Sequence, residues 1–398
     1  MLKWRYLGMP NKQKVNCTVG ARETGLDHAV LSASSSHRWL ECPPSALQCA
    51  KVGDTTSEFA MQGTDAHSLC EHKLKTALGQ KSKDPTENLT FFDEEMADCS
   101  DMYAQYVMEQ LAVAKEKCKD PIVLIEQHLD FSKWVPQGFG TGDCVIVADE
   151  TLTVIDFKYG VGILVDAEKN PQMMCYALGA LQLFDGIYDI DLVTMTIFQP
   201  RRDSVSTYTI SKEELLKWAD EVLSPTAQLA ANGEGEYKAG DHCQFCKVKA
   251  TCRKRAEYNL ELARYDFEMP STLEDDEIEA ILSKVDALVS WAGDIKEYAL
   301  QQAVSGKGWK DWKIVEGRSN RKYVNETAVV DTVKDAGYDP YEHKVLGITA
   351  MTKLLGKTRF EELLSGFIEK PQGKPTLVPM SDKRPAMNTA ANDFKEDK

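Results

Sequence analysis

The chain has 398 residues, 43% hydrophobic and 27% charged, the balance of an ordinary globular protein with room for two or three domains. No run of about 18 apolar residues occurs, and Met1 to Asn16 lacks the apolar stretch of a signal peptide, so the expectation is a cytoplasmic protein with no membrane partner. A net charge of −15 argues against a wholly basic binding surface but leaves room for a local one, since charges are screened over about 10 Å at ~0.1 M salt.

Residues 1–30 read as irregular. Ser34-Ser35-Ser36 is placed to cap a short helix through His37 and Leu40, ended by Cys42-Pro43-Pro44. Residues 56–79 and Asp93 to Lys117 space their apolar side chains at helical period (Ala66, Leu69, Cys70; Met96, Tyr103, Val107, Leu111), with a polar loop over 80–90 between them. The period then shortens to that of strands: Ile122 to Glu126, Asp143 to Ala148 and Leu152 to Phe157, with Gly138, Gly140 and Gly142 read as a turn before the second. Asn170-Pro171 opens a helix over Gln172 to Phe184. Strands follow at Leu192 to Gln199 and Ser204 to Ile210, and Ser211 with Glu214 forms a capping box for the next helix. Helices, three strands, a helix, two strands and a helix make an α/β fold with a mixed sheet.

After Gly233-Glu-Gly235 the chain enters a cysteine-rich loop. Met269-Pro270 marks a boundary, and Thr272 is placed to cap a long helix over 273–305. A short strand (Trp309 to Val315), helices at 326–336, 348–355 and 358–367 and a Pro/Lys-rich tail complete the chain. The domains expected are 1–54, a core over 55–230, a cysteine region over 231–270 and an α-rich part over 271–398. Leu355-Gly356-Lys357-Thr358 ends like a phosphate-binding loop, but Met351 stands where the first glycine belongs and a helix precedes it, so no ATPase follows.

Asp156 and Lys158, two apart in a strand, share one face, and a hairpin brings Asp143 alongside. Carboxylates emerging from apolar strands require a counter-charge. A hard divalent cation, Mg²⁺ or Mn²⁺, supplies one and would polarise a phosphate and acidify water, with Lys158 orienting or deprotonating that water. Alone, the tripeptide reads equally as an exposed ion pair. His67, in Gly63-Thr-Asp-Ala-His67, is a further ligand candidate, the small Gly63 allowing close approach to the sheet. Glu126 on the preceding strand is a secondary acid. Gln172 and Tyr176 share a helix face near an N-terminus, where phosphate is favoured.

The ordered set Gly63-x-x-x-His67, Gly142-Asp143, Asp156-x-Lys158 and Gln172-x-x-x-Tyr176 resembles the RecB-type branch of the PD-(D/E)XK nucleases. That resemblance implies a restriction-endonuclease-like core. It implies His67, Asp143, Asp156 and the backbone carbonyl of Phe157 as metal ligands, Lys158 as the catalytic lysine, and Gln172 and Tyr176 as the accessory motif.

The eleven cysteines do not suggest a disulfide framework. Cys17, Cys49, Cys70, Cys99, Cys118, Cys144 and Cys175 show no mutual spacing and read as buried hydrophobes. Cys243-x-x-Cys246-x5-Cys252 is instead a compact three-thiolate knot that needs a fourth ligand. From spacing alone zinc, with His242 as a ligand, and an iron–sulfur cluster both stand. The Ser-rich, Cys-Pro segment around Cys42 resembles the one that supplies the first ligand in the RecB/Cas4/AddB-like branch, which implies a [4Fe–4S] cluster on Cys42, Cys243, Cys246 and Cys252. The basic residues Lys247, Lys249, Arg253, Lys254 and Arg255 would then border a DNA track.

The last ~130 residues, notably Gly308-Trp309-Lys310 and Lys374-Pro375-Thr-Leu-Val-Pro379, resemble the C-terminal part of phage- and prophage-encoded members of this group. The reading implied is a phage-type DNA exonuclease acting in a bacterial cell in recombination, repair or replication. A single-strand annealing or recombination protein is a candidate partner, and clamp, oligomer contact and docking site are open roles for the tail. A structure-specific or single-strand endonuclease would share every motif. A catalytically silent iron–sulfur DNA-binding scaffold would keep the cysteines without needing Asp143, Asp156 and Lys158.

Overall fold

The computed structural model describes residues 29–53, 57–262, 273–317, 323–341 and 345–369, with Val378 and Asp382. Cys17, Met269-Pro270, Thr272, the basic stretch Arg318 to Lys322 and the tail residues Lys374, Pro375 and Pro379 lie outside the described residues. The chain falls into two units, Met1–Glu274 with Lys284–Tyr298 and Asp275–Ser283 with Ala299–Lys398.

The first unit is built on a five-stranded mixed sheet in the order β1-β2-β3-β4-β5, comprising β1 (Ile122–Asp130), β2 (Phe139–Ala148), β3 (Glu150–Phe157), β4 (Ile190–Gln199) and β5 (Ser204–Ser211). Neighbours run antiparallel except β3 and β4, which run parallel and are joined through α5 (Pro171–Phe184). Alternation along the strands divides the apolar residues between two layers. Val145, Val147, Val154 and Met195 pack with α5, α1 (Ser36–Glu41), α2 (Ser45–Ala50), α6 (Lys212–Trp218) and α7 (Ser224–Asn232). Cys144, Ile146, Ile155 and Phe157 pack with α3 (Glu58–Ala77) and α4 (Glu94–Lys117).

Local chemistry explains the helix ends. Ser57 caps α3 by accepting the Ala60 N–H, Asp93 caps α4 through Met96, and Ser211 and Glu214 form the expected reciprocal box on α6. The serine run before α1 behaves otherwise: no serine side chain caps that helix, because the Ser35 hydroxyl turns back to the Ser32 carbonyl at 3.2 Å inside its own 3-10 turn.

The glycines expected in a turn lie largely inside a strand. Gly140 and Gly142 belong to β2, and β1 extends to Asp130 to pair with them. Their small size serves packing: a Cβ on Gly140 would lie 2.7 Å from Cε1 of Tyr176. The same holds for Gly179 of α5, where a Cβ would lie 2.9 Å from Leu129 Cβ and 3.1 Å from its carbonyl carbon.

In the second unit α10 (Glu326–Asp335), α11 (Ile348–Leu355) and α12 (Lys357–Leu364) form near the expected positions. The strand expected at Trp309 to Val315 does not: only a bridge between Trp309 and Trp312 is present. Ile314 and Val315 are exposed and have no strand to pair with among the described residues. Phe360 is the one buried apolar side chain of this unit among the described residues. After α8 (Arg253–Leu260), the long helix α9 (Asp275–Val304) contributes residues to both units.

Gly179→Ala is expected to destabilise the fold by about 1–3 kcal/mol through overpacking against Leu129, although alanine is the better helix former by roughly 1 kcal/mol. Urea unfolding measures it; an undiminished midpoint would mean that α5 does not sit this close to β1.

Candidate active site

Pairing of Cys144 with Ile155 sets the middle of β2 beside the end of β3. Asp143 Oδ2 accepts the backbone N–H of Phe157 at 2.7 Å. On its other oxygen Asp143 meets His67 of α3, with Nδ1 at 3.3 Å from Oδ1. The His67 ring stands edge-on to Phe157, centroids 5.6 Å apart. Gly63 does not set this approach, since a Cβ there would meet nothing within 4 Å; the packing face of α3 is Ala66, Leu69, Cys70 and Leu74.

Glu126 joins this pair from β1. The ladder matches Ile125 to Cys144 and Gln127 to Gly142, and between them Glu126 takes φ 49, a left-handed conformation that costs on the order of 1–3 kcal/mol. One ligand atom each from His67, Glu126 and Asp143 lies within 4.8 Å of the others. Among the described residues this is the one metal-competent group so tightly drawn.

Asp156, with 3% of its side chain exposed, faces α5. Its Oδ2 lies 2.9 Å from Lys158 Nζ, and its Oδ1 accepts from Gln172 Nε2 at 3.2 Å. Gln172 also donates to Tyr176 Oη at 3.2 Å and faces Lys158 Nζ through its oxygen at 3.4 Å. Gln172 therefore holds Asp156, Lys158 and Tyr176 in one network. The N-terminus of α5 is not a free phosphate seat: Asn170 Oδ1 accepts the N–H groups of Gln172 at 3.1 Å and Met173 at 3.3 Å.

The charges are strongly coupled. Burial opposes ionisation of Asp143, but His67 and then Lys158 hold its carboxyl below the usual range. Burial raises Asp156, helped by Asp143 and opposed by Lys158. Burial would neutralise Lys158, yet Asp156 and Asp143 hold its ammonium on. Glu126 is pushed up to about 7, first by burial and then by Asp143. Burial works against protonation of His67 and the Asp143 charge overcomes it, raising the imidazole to about 9. About 33% of the His67 side chain remains in solvent, which tempers both effects.

The expected cysteines converge from distant segments. Cys42, Cys243, Cys246 and Cys252 line one small cavity with His242 and Arg255, and all four are free thiols. They are joined by Cys49, which does not behave as a plain buried hydrophobe. Its Sγ lies 3.7 Å from Cys246 Sγ and accepts the Lys247 N–H at 3.3 Å. The hydrogen bond with Cys246 pulls the Cys49 thiol down to about 6 in spite of burial.

The basic run divides. Lys249 and the buried Arg255 are both committed to Asp294 of α9, at 2.8 Å and 2.5 Å, and so are structural cations and not a free DNA surface. Lys247, Arg253 and Lys254 are exposed, with Lys247 Nζ donating to the Val52 carbonyl at 3.4 Å and Lys254 Nζ 3.9 Å from Glu257.

A family profile described as "Protein of unknown function (DUF2800)" matches residues 28–385. The chain belongs to this family. A solved structure described as "Crystal structure of SSO0001" aligns with 47% of this DUF2800 chain and 95% of its own, at 12% identity and a TM-score of 0.19. No helix among the described residues is long and apolar enough to cross a membrane.

Two functional candidates were weakly marked in the sequence. Glu126 carries a local signal, an acid within the apolar run Ile122 to Ile125, but its left-handed turn toward Asp143 is a ladder irregularity. Cys49 carries none, because its partner lies 197 positions away.

The His67–Asp143 contact is directly measurable. Because the folded value is raised, the pair stabilises the fold fully below pH 6.5 and loses that contribution as pH rises through about 9. NMR of the metal-free protein should place the His67 midpoint near 9, and Asp143→Asn should bring it down. An unshifted wild-type midpoint would break the assigned pair.

Proposed function

We propose that this chain is a metal-dependent DNA nuclease with a PD-(D/E)XK active site. The observation that carries the reading is the Asp143 hydrogen bond from the Phe157 N–H, which sets the tight His67, Glu126 and Asp143 group beside the Asp156–Lys158 pair, Asp156 itself lying outside that tight group. A divalent cation suits these donors. Asp156 Oδ2 is buried and takes no aligned hydrogen bond despite the nearby ammonium, and the remaining donors are two carboxylates and an imidazole. Hard oxygens favour Mg²⁺ or Mn²⁺, and the imidazole favours Mn²⁺.

His67, Asp143 and Asp156 would hold the ion, with the Phe157 carbonyl as the resemblance implies and Glu126 as an added ligand. When bound, the ion supplies Lewis acidity toward a phosphate and acidifies water. The protein's own groups do the rest. Lys158, held as ammonium between Asp156 and Asp143, offsets negative charge building on phosphoryl oxygens; that state favours orientation and charge stabilisation over proton removal. Gln172 fixes Asp156 and Lys158 relative to each other, and Tyr176 supports Gln172 from beneath. Exposed Lys247, Arg253 and Lys254 offer contacts to a DNA backbone. Preference for free ends, and a role in phage-type recombination, repair or replication, follow from the motif resemblance.

End-labelled linear and closed circular DNA with Mg²⁺ or Mn²⁺ test this. Cleavage confined to linear DNA, and falling at least about a hundredfold in Asp156→Ala and in Lys158→Ala, is the expected outcome. Activity surviving both substitutions would remove the site from the reaction.

We further infer a [4Fe–4S] cluster on Cys42, Cys243, Cys246 and Cys252, supported by four free thiols facing one cavity. Cys243 Sγ also lies 3.8 Å from His242 Nε2, so a zinc ion that uses His242 is the alternative, and metal analysis of the purified protein separates the two. Cys42→Ala should give colourless, iron-poor and poorly folded protein. A brown, fully iron-loaded Cys42→Ala protein would count against Cys42 as a ligand.

A further inference from the structure

Between Lys158 and α5 the chain forms an irregular loop whose path is nevertheless fixed. Gln199, the last residue of β4 and 2% exposed, donates from Nε2 to the carbonyls of Gly160 at 2.9 Å and Ile163 at 2.7 Å. Its Oε1 accepts the Val165 N–H at 3.1 Å. Arg202 donates to the Val161 carbonyl at 3.0 Å, and Ser206 Oγ accepts the Ala167 N–H at 2.9 Å. A buried amide fully satisfied by a loop backbone rigidifies that loop. Yet Val161, Ile163 and Leu164 are 44%, 46% and 56% exposed. A rigid mount holding three neighbouring aliphatic side chains in water calls for a contact from outside the chain.

Topology decides where that contact sits. β3 and β4 run parallel, with Asp156 beside Ile197 and Phe157 beside Phe198. The loop leaving β3 and the Pro200–Arg202 turn leaving β4 therefore emerge at the sheet edge that carries Asp156 and Lys158. There Leu164, Pro200, Arg201, Arg202, Asp203 and Ser204 line an open cavity of about 600 Å³. Arg201 is committed to Glu95 at 3.0 Å and to the face of Tyr159 at 4.6 Å. Arg202 is the exposed cation of the rim.

We propose that this loop takes unpaired nucleobases at a single-stranded DNA end, Ile163 and Leu164 meeting the face of a base and Arg202 its phosphate. The identity of the polymer rests on the nuclease reading above. A nucleotide joins an apolar face to an anionic group within one residue's length, and a cavity with an aliphatic wall and a guanidinium rim matches both. In a chain of net charge −15, the exposed Arg202 beside the catalytic edge complements a polyanion, Arg201 being paired with Glu95.

Fluorescence anisotropy of the full-length protein with a labelled single-stranded oligonucleotide, in chelator so that no cleavage is needed, tests it. The Ile163→Ala/Leu164→Ala double variant should bind about tenfold more weakly, the loss expected for one base stack, and Arg202→Ala should weaken binding with a reduced salt dependence. Thermal midpoints equal to wild type establish that these exposed substitutions leave the fold intact. Undiminished affinity in both variants overturns the proposal, as does undiminished affinity accompanied by lost self-association, which would assign the patch to a second copy. A wild-type protein that binds the oligonucleotide through this loop but cuts no DNA sinks the nuclease reading and leaves the loop assignment standing. Cleavage of duplex DNA without single-strand binding does the reverse.

Discussion

Two carboxylates set into one end of an apolar sheet impose the constraint around which the first unit is arranged. Asp143 keeps 11% of its side chain exposed and Asp156 3%, so neither can rely on water to stabilise its charge. Each is matched by a different layer. α3 presents His67 to Asp143, and α5 presents Gln172 to Asp156 while Lys158 folds back along β3. The helices must approach closely for this to happen. Gly140 leaves room for Tyr176 against β2, and Gly179 lets α5 rest on β1 at Leu129. On the α5 side, charge compensation and close packing are thus one requirement, met by the same helix.

The segment before the mixed sheet is held against the loop that follows it by contacts that need no metal. Gln48 donates to Tyr237 Oη at 3.0 Å, Lys238 pairs with Glu41, and the Lys247 N–H meets Cys49 Sγ at 3.3 Å. These bonds join positions 189 to 198 residues apart. Any group bound by Cys42 and the Cys243 to Cys252 knot would close a loop already largely formed, which lowers the ordering entropy that binding must overcome. Asp294 extends this organisation by holding Lys249 and Arg255 together, its one carboxylate offsetting one of their two positive charges.

Much of the fold was legible in local pattern. The order of helices and strands, the Ser211–Glu214 box, the shared face of Asp156 and Lys158 and the helical pairing of Gln172 with Tyr176 all follow from periods of two and 3.6 residues and from caps that span three positions. The failures were of another kind. Gly140 and Gly142 carry turn chemistry in the sequence, yet they continue β2 because Leu129 and Tyr176 occupy the space their missing side chains leave. Trp309 to Val315 has strand composition, but a strand exists only with a partner to complete its hydrogen bonds.

Local pattern was enough for most of the elements, for their order and for the residue types able to hold a cation or a soft metal, because these depend on neighbours a few bonds away. Tertiary structure alone decided that Glu126 turns out of its ladder toward His67 and Asp143, that Cys49 reaches Cys246, and that Arg255 is spent on Asp294. Those outcomes depend on charges and atoms brought within a few ångströms from far along the chain, and no local periodicity encodes which partner arrives.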